Sequence, residues 1–255
     1  MHTRQTKYQK HLFIVLSCVF LVWLVPFILG KNFAVLTSDF FYIPLTIWLS
    51  VFSLYRVLES KVLLEKITWV LFFTYAILDL LANHIWTFDE LILDVKPFPS
   101  YADIAWLAAY FVIIPFYFLF IMPLKNYISK GILAAAILIS VAIISFNAYF
   151  LVPINNTSPQ EVFLASYPVL MGIAAGPATI GIILYFKHKT SFSSLLICSA
   201  IFTQWIGDSL FQIGQGNGTY YSGSYADLFL FLSYPLFIFG IYQAKIRTSK
   251  IEVEK

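Results

Sequence analysis

The chain has 255 residues, of which 60% are hydrophobic, 19% aromatic and only 11% charged, with a formal net charge of +3 and a mean hydropathy of +0.82. An average soluble domain carries about 25% charged residues, so a water-soluble globule of this size could not cover its own surface. The composition excludes a soluble or nucleic-acid-binding domain and points to an integral membrane protein whose first partner is the lipid bilayer. A helix crosses a bilayer with about 20 mostly apolar residues. Such runs fall near residues 11–30, 40–58, 67–86, 101–123, 131–152, 162–186, 192–213 and 225–243, which predicts an all-α polytopic bundle of eight spans. The runs are continuous, whereas a transmembrane barrel would show alternating segments of about ten residues. The first run follows basic residues as a signal peptide does, but its core is long and no small-residue cleavage site follows Leu29-Gly30-Lys31. It reads as a retained anchor. Cys18 and Cys198 fall inside spans as small apolar fillers, with neither disulfide nor metal spacing. The loop near residues 87–100 and the tail after Gln243 are both too short to fold alone.

Basic residues favour the cytoplasmic side of a membrane. With the amino terminus inside, the inner segments hold Arg4, Lys7, Lys10, Arg56, Lys61, Lys66, Lys125, Lys130, Lys187, Lys189, Lys245, Arg247, Lys250 and Lys255. The outer loops hold only Lys31 and Lys96, so all but two of the 16 basic residues face inward. The expected location is the plasma membrane, with multiple passes and both termini cytoplasmic. Asp39, Asp89, Glu90, Asp94 and Glu161 then lie outside, with the sequons Asn155-Asn156-Thr157 and Asn217-Gly218-Thr219.

An internal echo is the most informative feature. Ser100-Tyr101-Ala102-Asp103 opens the fourth span and Ser224-Tyr225-Ala226-Asp227 opens the eighth. Tyr110 and Tyr234 follow at the same distance from each aspartate, and Pro115 and Pro235 come after them. Asp79 has Asn83 one turn on, and Asp208 has Gln212 one turn on, which places a carboxylate and a carboxamide on one helix face in each case. Weaker echoes are Asp39 with Tyr42 and Pro44, and Glu161 with Tyr167 and Pro168. The expectation is two tandem parallel four-helix repeats, 1–124 and 125–255, in one integral membrane domain. Parallel repeats of this kind place sites at the repeat interface in transporters.

Ionisable residues within spans are costly, about 2.5–3.5 kcal/mol each at a helix centre on insertion scales. Asp79 and Asp208 lie deep and demand a partner or a wet cavity. Asp103 and Asp227 lie near the outer ends, where interfacial water or the positive end of a helix suffices. All four lie toward one membrane face, which predicts an outward-facing acidic cavity. Asp79, Asn83, Asp103, Tyr110, Asp208, Gln212, Asp227 and Tyr234 are its candidate ligand-binding residues. His84 is the one candidate metal ligand, with no counterpart in the second half, and no metal or cofactor is expected. Trp69, Trp86, Tyr117 and Tyr242 read as interfacial belt aromatics. The Tyr-Ala-Asp motif is similar to the counter-ion helix of microbial rhodopsins, but the eighth span, Leu228 to Gln243, has no lysine to hold retinal.

The stretch from Asp79-Leu80-Leu81 to Trp86, then Pro97-Phe98-Pro99-Ser100-Tyr101-Ala102-Asp103-Ile104-Ala105-Trp106-Leu107-Ala108-Ala109-Tyr110, resembles the multi-span amino-terminal sensor regions of bacterial diguanylate cyclases and histidine kinases. Gly223-Ser224-Tyr225-Ala226-Asp227-Leu228 matches the aspartate-leucine helix that recurs late in those regions. The resemblance implies a stand-alone sensor or ligand-binding module without an output domain, signalling through a separate protein or as a homo-oligomer. Gly207-Asp208 in an eight-span chain is similar to the lysoplasmalogenase-type membrane hydrolases. That second resemblance implies Asp79 and Asp208 as catalytic carboxylates. A cation- or proton-coupled transporter of small molecules is the third class, supported by the repeat and the acidic cavity.

Overall fold

The computed structural model describes residues 2–151, 159–188 and 190–253. Among them are eight α-helices and no strand: α1 (His2–Leu29), α2 (Lys31–Glu59), α3 (Leu63–Leu91), α4 (Tyr101–Ile121), α5 (Lys130–Leu151), α6 (Pro159–His188), α7 (Phe192–Gly216) and α8 (Tyr225–Val253). A 3-10 turn, Met122–Tyr127, follows α4. The sequon at 155–157 lies outside the described residues.

Local chemistry sets the breaks. Gly30, at a φ of 112°, ends α1 and opens α2. Pro97 and Pro99 stop the chain after α3 from continuing as helix. Ser100 then starts α4 with a capping box, its side chain accepting from the Ala102 N–H while Asp103 accepts from the Ser100 N–H. The turn before α8 uses Gly218 and Gly223 at φ values of 66° and 87°. Only glycine adopts such angles without strain.

Each of α1–α4 packs on the next, as does each of α5–α8. The two groups meet at three places, α4 on α6, α2 on α8 and α1 on α8. These contacts close a ring in the order α2, α3, α4, α6, α7, α8. Helix α1 lies outside against α2 and α8, and α5 lies outside against α6 and α7. The ring interior is filled by Phe72, Tyr75, Phe116, Tyr117, Met171, Ile197, Ile201 and Phe237, all fully buried. Large apolar side chains such as Phe13, Ile14, Phe111, Phe118 and Leu138 point outward, as lipid-facing positions do.

Lipid is as apolar as leucine, so close backbone approach and hydrogen bonds hold such a bundle together. Helix α6 provides the approach. A Cβ on Gly176 would lie 2.7 Å from the Ser140 hydroxyl of α5, and one on Gly181 would collide with Cys198 of α7. Likewise a Cβ on Gly240 would lie 2.6 Å from Ile197, where α8 meets α7.

Seven of the helices are long and apolar enough to cross a membrane; α3 is not among them. It carries Asp79, Asn83 and Glu90, and it packs between α2 and α4 within the ring. Three expectations need correction. Trp69 and Tyr117 are buried in the core rather than placed in an interfacial belt, Tyr117 donating to the Ile197 carbonyl at 2.7 Å. Cys18 is exposed on the outer face of α1, whereas Cys198 is buried.

Candidate functional site

In the half of the ring nearest the α3–α4 and α7–α8 loops lies a cavity of about 60 Å³. A water needs roughly 10–15 Å³ of such space, so there is room for a few. Asp79, Asp208 and Asp227 line it, with Asn83, Gln204, Ser222 and Ser233. Its walls are Tyr42, Trp86, Trp106, Tyr110, Tyr167, Phe211, Tyr220, Leu230 and Tyr234, and among the described residues neither lysine nor arginine lines it.

Four carboxyls are positioned here by one recurring device, a tyrosine hydroxyl donated from the other half of the chain. Tyr110 of α4 donates to Asp208 Oδ2 of α7 at 2.6 Å. Tyr234 of α8 donates to Asp79 Oδ2 of α3 at 2.8 Å. Tyr42 of α2 donates to Asp227 Oδ1 of α8 at 2.6 Å. Tyr167 of α6 donates to Asp103 Oδ1 of α4 at 2.7 Å. Between them, deep in the ring, Tyr75 donates to Gln204 Oε1 at 3.0 Å.

The remaining valences differ from one carboxyl to the next. Asp79 Oδ1 accepts from the Trp106 indole at 3.1 Å and the Asn83 amide at 3.3 Å. Asp103 Oδ2 closes the capping box on the Ser100 N–H at 2.7 Å. Asp227 Oδ2 accepts from the Gly223 N–H at 2.8 Å, and the Tyr220 hydroxyl lies 3.3 Å from both of its oxygens. Asp103 and Asp227 are therefore not at the water-exposed interface that their sequence positions suggested; both are buried. Each serves its helix N-terminus and also takes a tyrosine from the opposite half, so the helix-end role and the cross-half role coexist.

At the mouth, the Trp86 indole donates to Glu90 Oε2 at 2.9 Å and lies 3.0 Å from the Ser222 hydroxyl. Ser222 in turn donates to Glu90. Trp86 is thus a buried lining residue rather than a belt aromatic. Tyr220, in the α7–α8 loop, has its phenol pushed well above the usual range by burial, with the Asp227 and Glu90 carboxyls adding to the effect. It remains a hydrogen-bond donor. Asp39 is buried beside Ser222 and Glu90 and within electrostatic reach of Asp227.

The structure brings Asp79, Asn83, Tyr110, Asp208, Asp227 and Tyr234 to one cavity. Asp103 sits behind its wall, joined to the lining residue Tyr167. Gln212 is buried away from the lining, with both amide atoms unpartnered. His84 is exposed on α3, its Nδ1 2.8 Å from the Leu80 carbonyl. Among the described residues no group of three His, Cys, Asp or Glu is arranged to hold a metal ion. The sequence reading missed Tyr42, Tyr167, Trp86, Trp106 and Tyr220 as site residues. Tyr42 and Tyr167 did carry a signal, the weaker echo of the repeat. Comparison with family models, curated proteins and solved structures finds no match.

Proposed function

We propose that the chain is a membrane ligand-binding module in a sensory role, with an acidic cavity opening to the outer face between two tandem four-helix repeats, 1–124 and 125–255. The observation that carries this reading is the crossed set of tyrosine–carboxyl bonds around the cavity. Each half supplies the donors that the other half's aspartates accept. The same set supports the duplication, because Tyr110 answers to Tyr234 and Tyr42 to Tyr167. Tyr75 and Gln204, which are 129 residues apart as Asp79 and Asp208 are, donate and accept across the middle.

A ligand can shift a conformational equilibrium only by interacting differently with its two states. Here the polar groups that a ligand would meet are the ones that join the halves. Occupancy therefore acts on the packing of one half against the other, and a separate signalling protein or a second copy of the chain at the inner face reads the change. The basic-residue pattern supports both termini being cytoplasmic in a plasma membrane.

A second reading, an intramembrane hydrolase of lysoplasmalogenase type, is favoured by one observation. Asp79 and Asp208 line the same cavity, which has room for water, as carboxylates activating a nucleophilic water would. A cation- or proton-coupled transporter is the third outcome. The full chain in lipid nanodiscs is screened for thermal stabilisation by fractionated metabolites and lipids, and each stabilising fraction is then assayed in proteoliposomes. Saturable binding with neither flux nor product is the expected result. Net uptake would replace the sensory reading with transport, and product release would replace it with hydrolysis.

A further inference from the structure

The two deep carboxyls are not equally provided for. Asp79 has donors on both oxygens: Tyr234 on Oδ2, and Trp106 and Asn83 on Oδ1. Asp208 is held at Oδ2 alone, by Tyr110, and its Oδ1 accepts no hydrogen bond among the described residues. The reason lies in the sequence. Trp106, three residues after Asp103, supplies the indole that completes Asp79. Three residues after Asp227 stands Leu230, which has no donor and packs into the space that Gly207 leaves open. Asn83 turns back onto Asp79, whereas the Gln212 amide, at the same offset from Asp208, has no hydrogen-bond partner among the described residues. The shared arrangement is closed at Asp79 and open at Asp208, and Asp208 faces the cavity.

A carboxylate in an enclosed site needs a donor, and a charged one gives the stronger bond. Among the described residues no basic side chain lines the cavity to serve as that donor. The surrounding walls include Trp86, Trp106, Phe211 and Tyr220, and indole, phenyl and phenol faces attract a cation within about 6 Å. A divalent metal would find no group of three suitable ligands among the described residues. The space, about 60 Å³, suits a small guest.

We propose that Asp208 Oδ1 anchors a small organic cation, a protonated primary amine whose alkyl part lies against the aromatic walls. This inference rests on the ligand-binding reading above and names the chemistry of its ligand. It is tested by calorimetric titration of the full chain in nanodiscs with methylammonium, ethylammonium and butylammonium chlorides. Sodium chloride at equal ionic strength, butanol and glucose serve as comparisons. At least one alkylammonium ion binds saturably, and sodium and butanol do not. Asp208→Asn weakens that binding about tenfold or more, while Asp208→Glu, which keeps the charge, retains it within a few fold. If Asp208→Asn does not fold, the preference of the wild type for alkylammonium over butanol and sodium, together with Asp208→Glu, decides the matter. Failure of all three alkylammonium ions to bind, binding matched by sodium, or binding unchanged in folded Asp208→Asn overturns the inference. Saturable binding of butanol or glucose without any alkylammonium binding overturns the cation but leaves a ligand-binding cavity standing. The metabolite screen judges that broader reading separately.

Discussion

Tyr110 and Tyr234 make the same bond in opposite directions, yet they do not carry equal weight. Removing the Tyr234 hydroxyl leaves Asp79 with Trp106 and Asn83, whereas removing the Tyr110 hydroxyl leaves Asp208 with no donor among the described residues. A hydrogen bond within a membrane bundle contributes about 0.6 kcal/mol on average, and leaving a buried polar group unpaired costs about 1–3 kcal/mol. Tyr234→Phe should therefore lower stability by about 0.6 kcal/mol and Tyr110→Phe by more, about 1 kcal/mol, as measured by reversible unfolding in mixed micelles. The lower end of that range applies because Asp208 is only partly buried. Equal losses would show that Asp208 has a donor other than Tyr110. Gly223 is a second sensitive position for a different reason. At a φ of 87° a side chain is strained, and its Cβ would lie 2.5 Å from the Ala34 carbonyl oxygen. The same residue's N–H holds Asp227. Gly223→Ala should cost about 1–3 kcal/mol from the backbone conformation alone, and it should loosen α8 against α2 in hydrogen-exchange measurements.

Among the elements, α3 shows both the reach and the limit of reading one sequence. Hydropathy reports how much apolar surface a helix has but not which neighbour its polar stripe meets. The i,i+4 spacing placed Asp79 and Asn83 on one face, as their contact shows, while hydropathy left Trp86 to look like an interfacial aromatic. The Ser-Tyr-Ala-Asp echo was legible because both copies are intact. Tyr42 and Tyr167 showed only as a weaker echo, and their bonds to those aspartates were not legible, because the partners lie 185 and 64 residues away. Nothing local distinguishes a tyrosine that crosses to another helix from one at a membrane interface. The carboxyl end of α2 was equally silent. Arg56 is buried there, its guanidinium 2.7 Å from Glu65 and 3.6 Å from Glu59 and stacked 5.0 Å from the Trp69 ring centroid. It pins α2 to the first turn of α3 through a planar group that a lysine cannot imitate. Arg56→Lys keeps the charge but loses the fork and much of the stacking. The expected loss is about 1–2 kcal/mol, since a desolvated cation–π contact contributes about 2 kcal/mol. A variant as stable as the wild type would show that charge alone suffices at this junction.

At the scale of the whole molecule, the closed ring of six helices places the cavity toward the α3–α4 and α7–α8 loops, where Glu90, Tyr220 and Ser222 meet. The opposite end carries Arg56, Lys61, Lys66, Lys125, Lys130 and Lys187. Which solution the cavity samples therefore depends on which way the bundle sits, and the positive-inside bias predicts that the acidic end faces outward. The bias is strong here because every short loop agrees with it and only Lys31 and Lys96 stand on the acidic side. Asn217, exposed in the turn after α7 beside the cavity mouth, is the position at which to test this. Asn217→Cys, in a Cys18→Ser background that removes the exposed native thiol, should react with a membrane-impermeant maleimide on intact cells. A cysteine at Lys125, on the opposite end, should react only after permeabilisation. The reverse pattern would turn the cavity toward the cytoplasm, and the ligand would then have to come from the intracellular pool. Reaction of both sites on intact cells would mean two orientations in the membrane, which the 14-to-2 split of the 16 basic residues argues against.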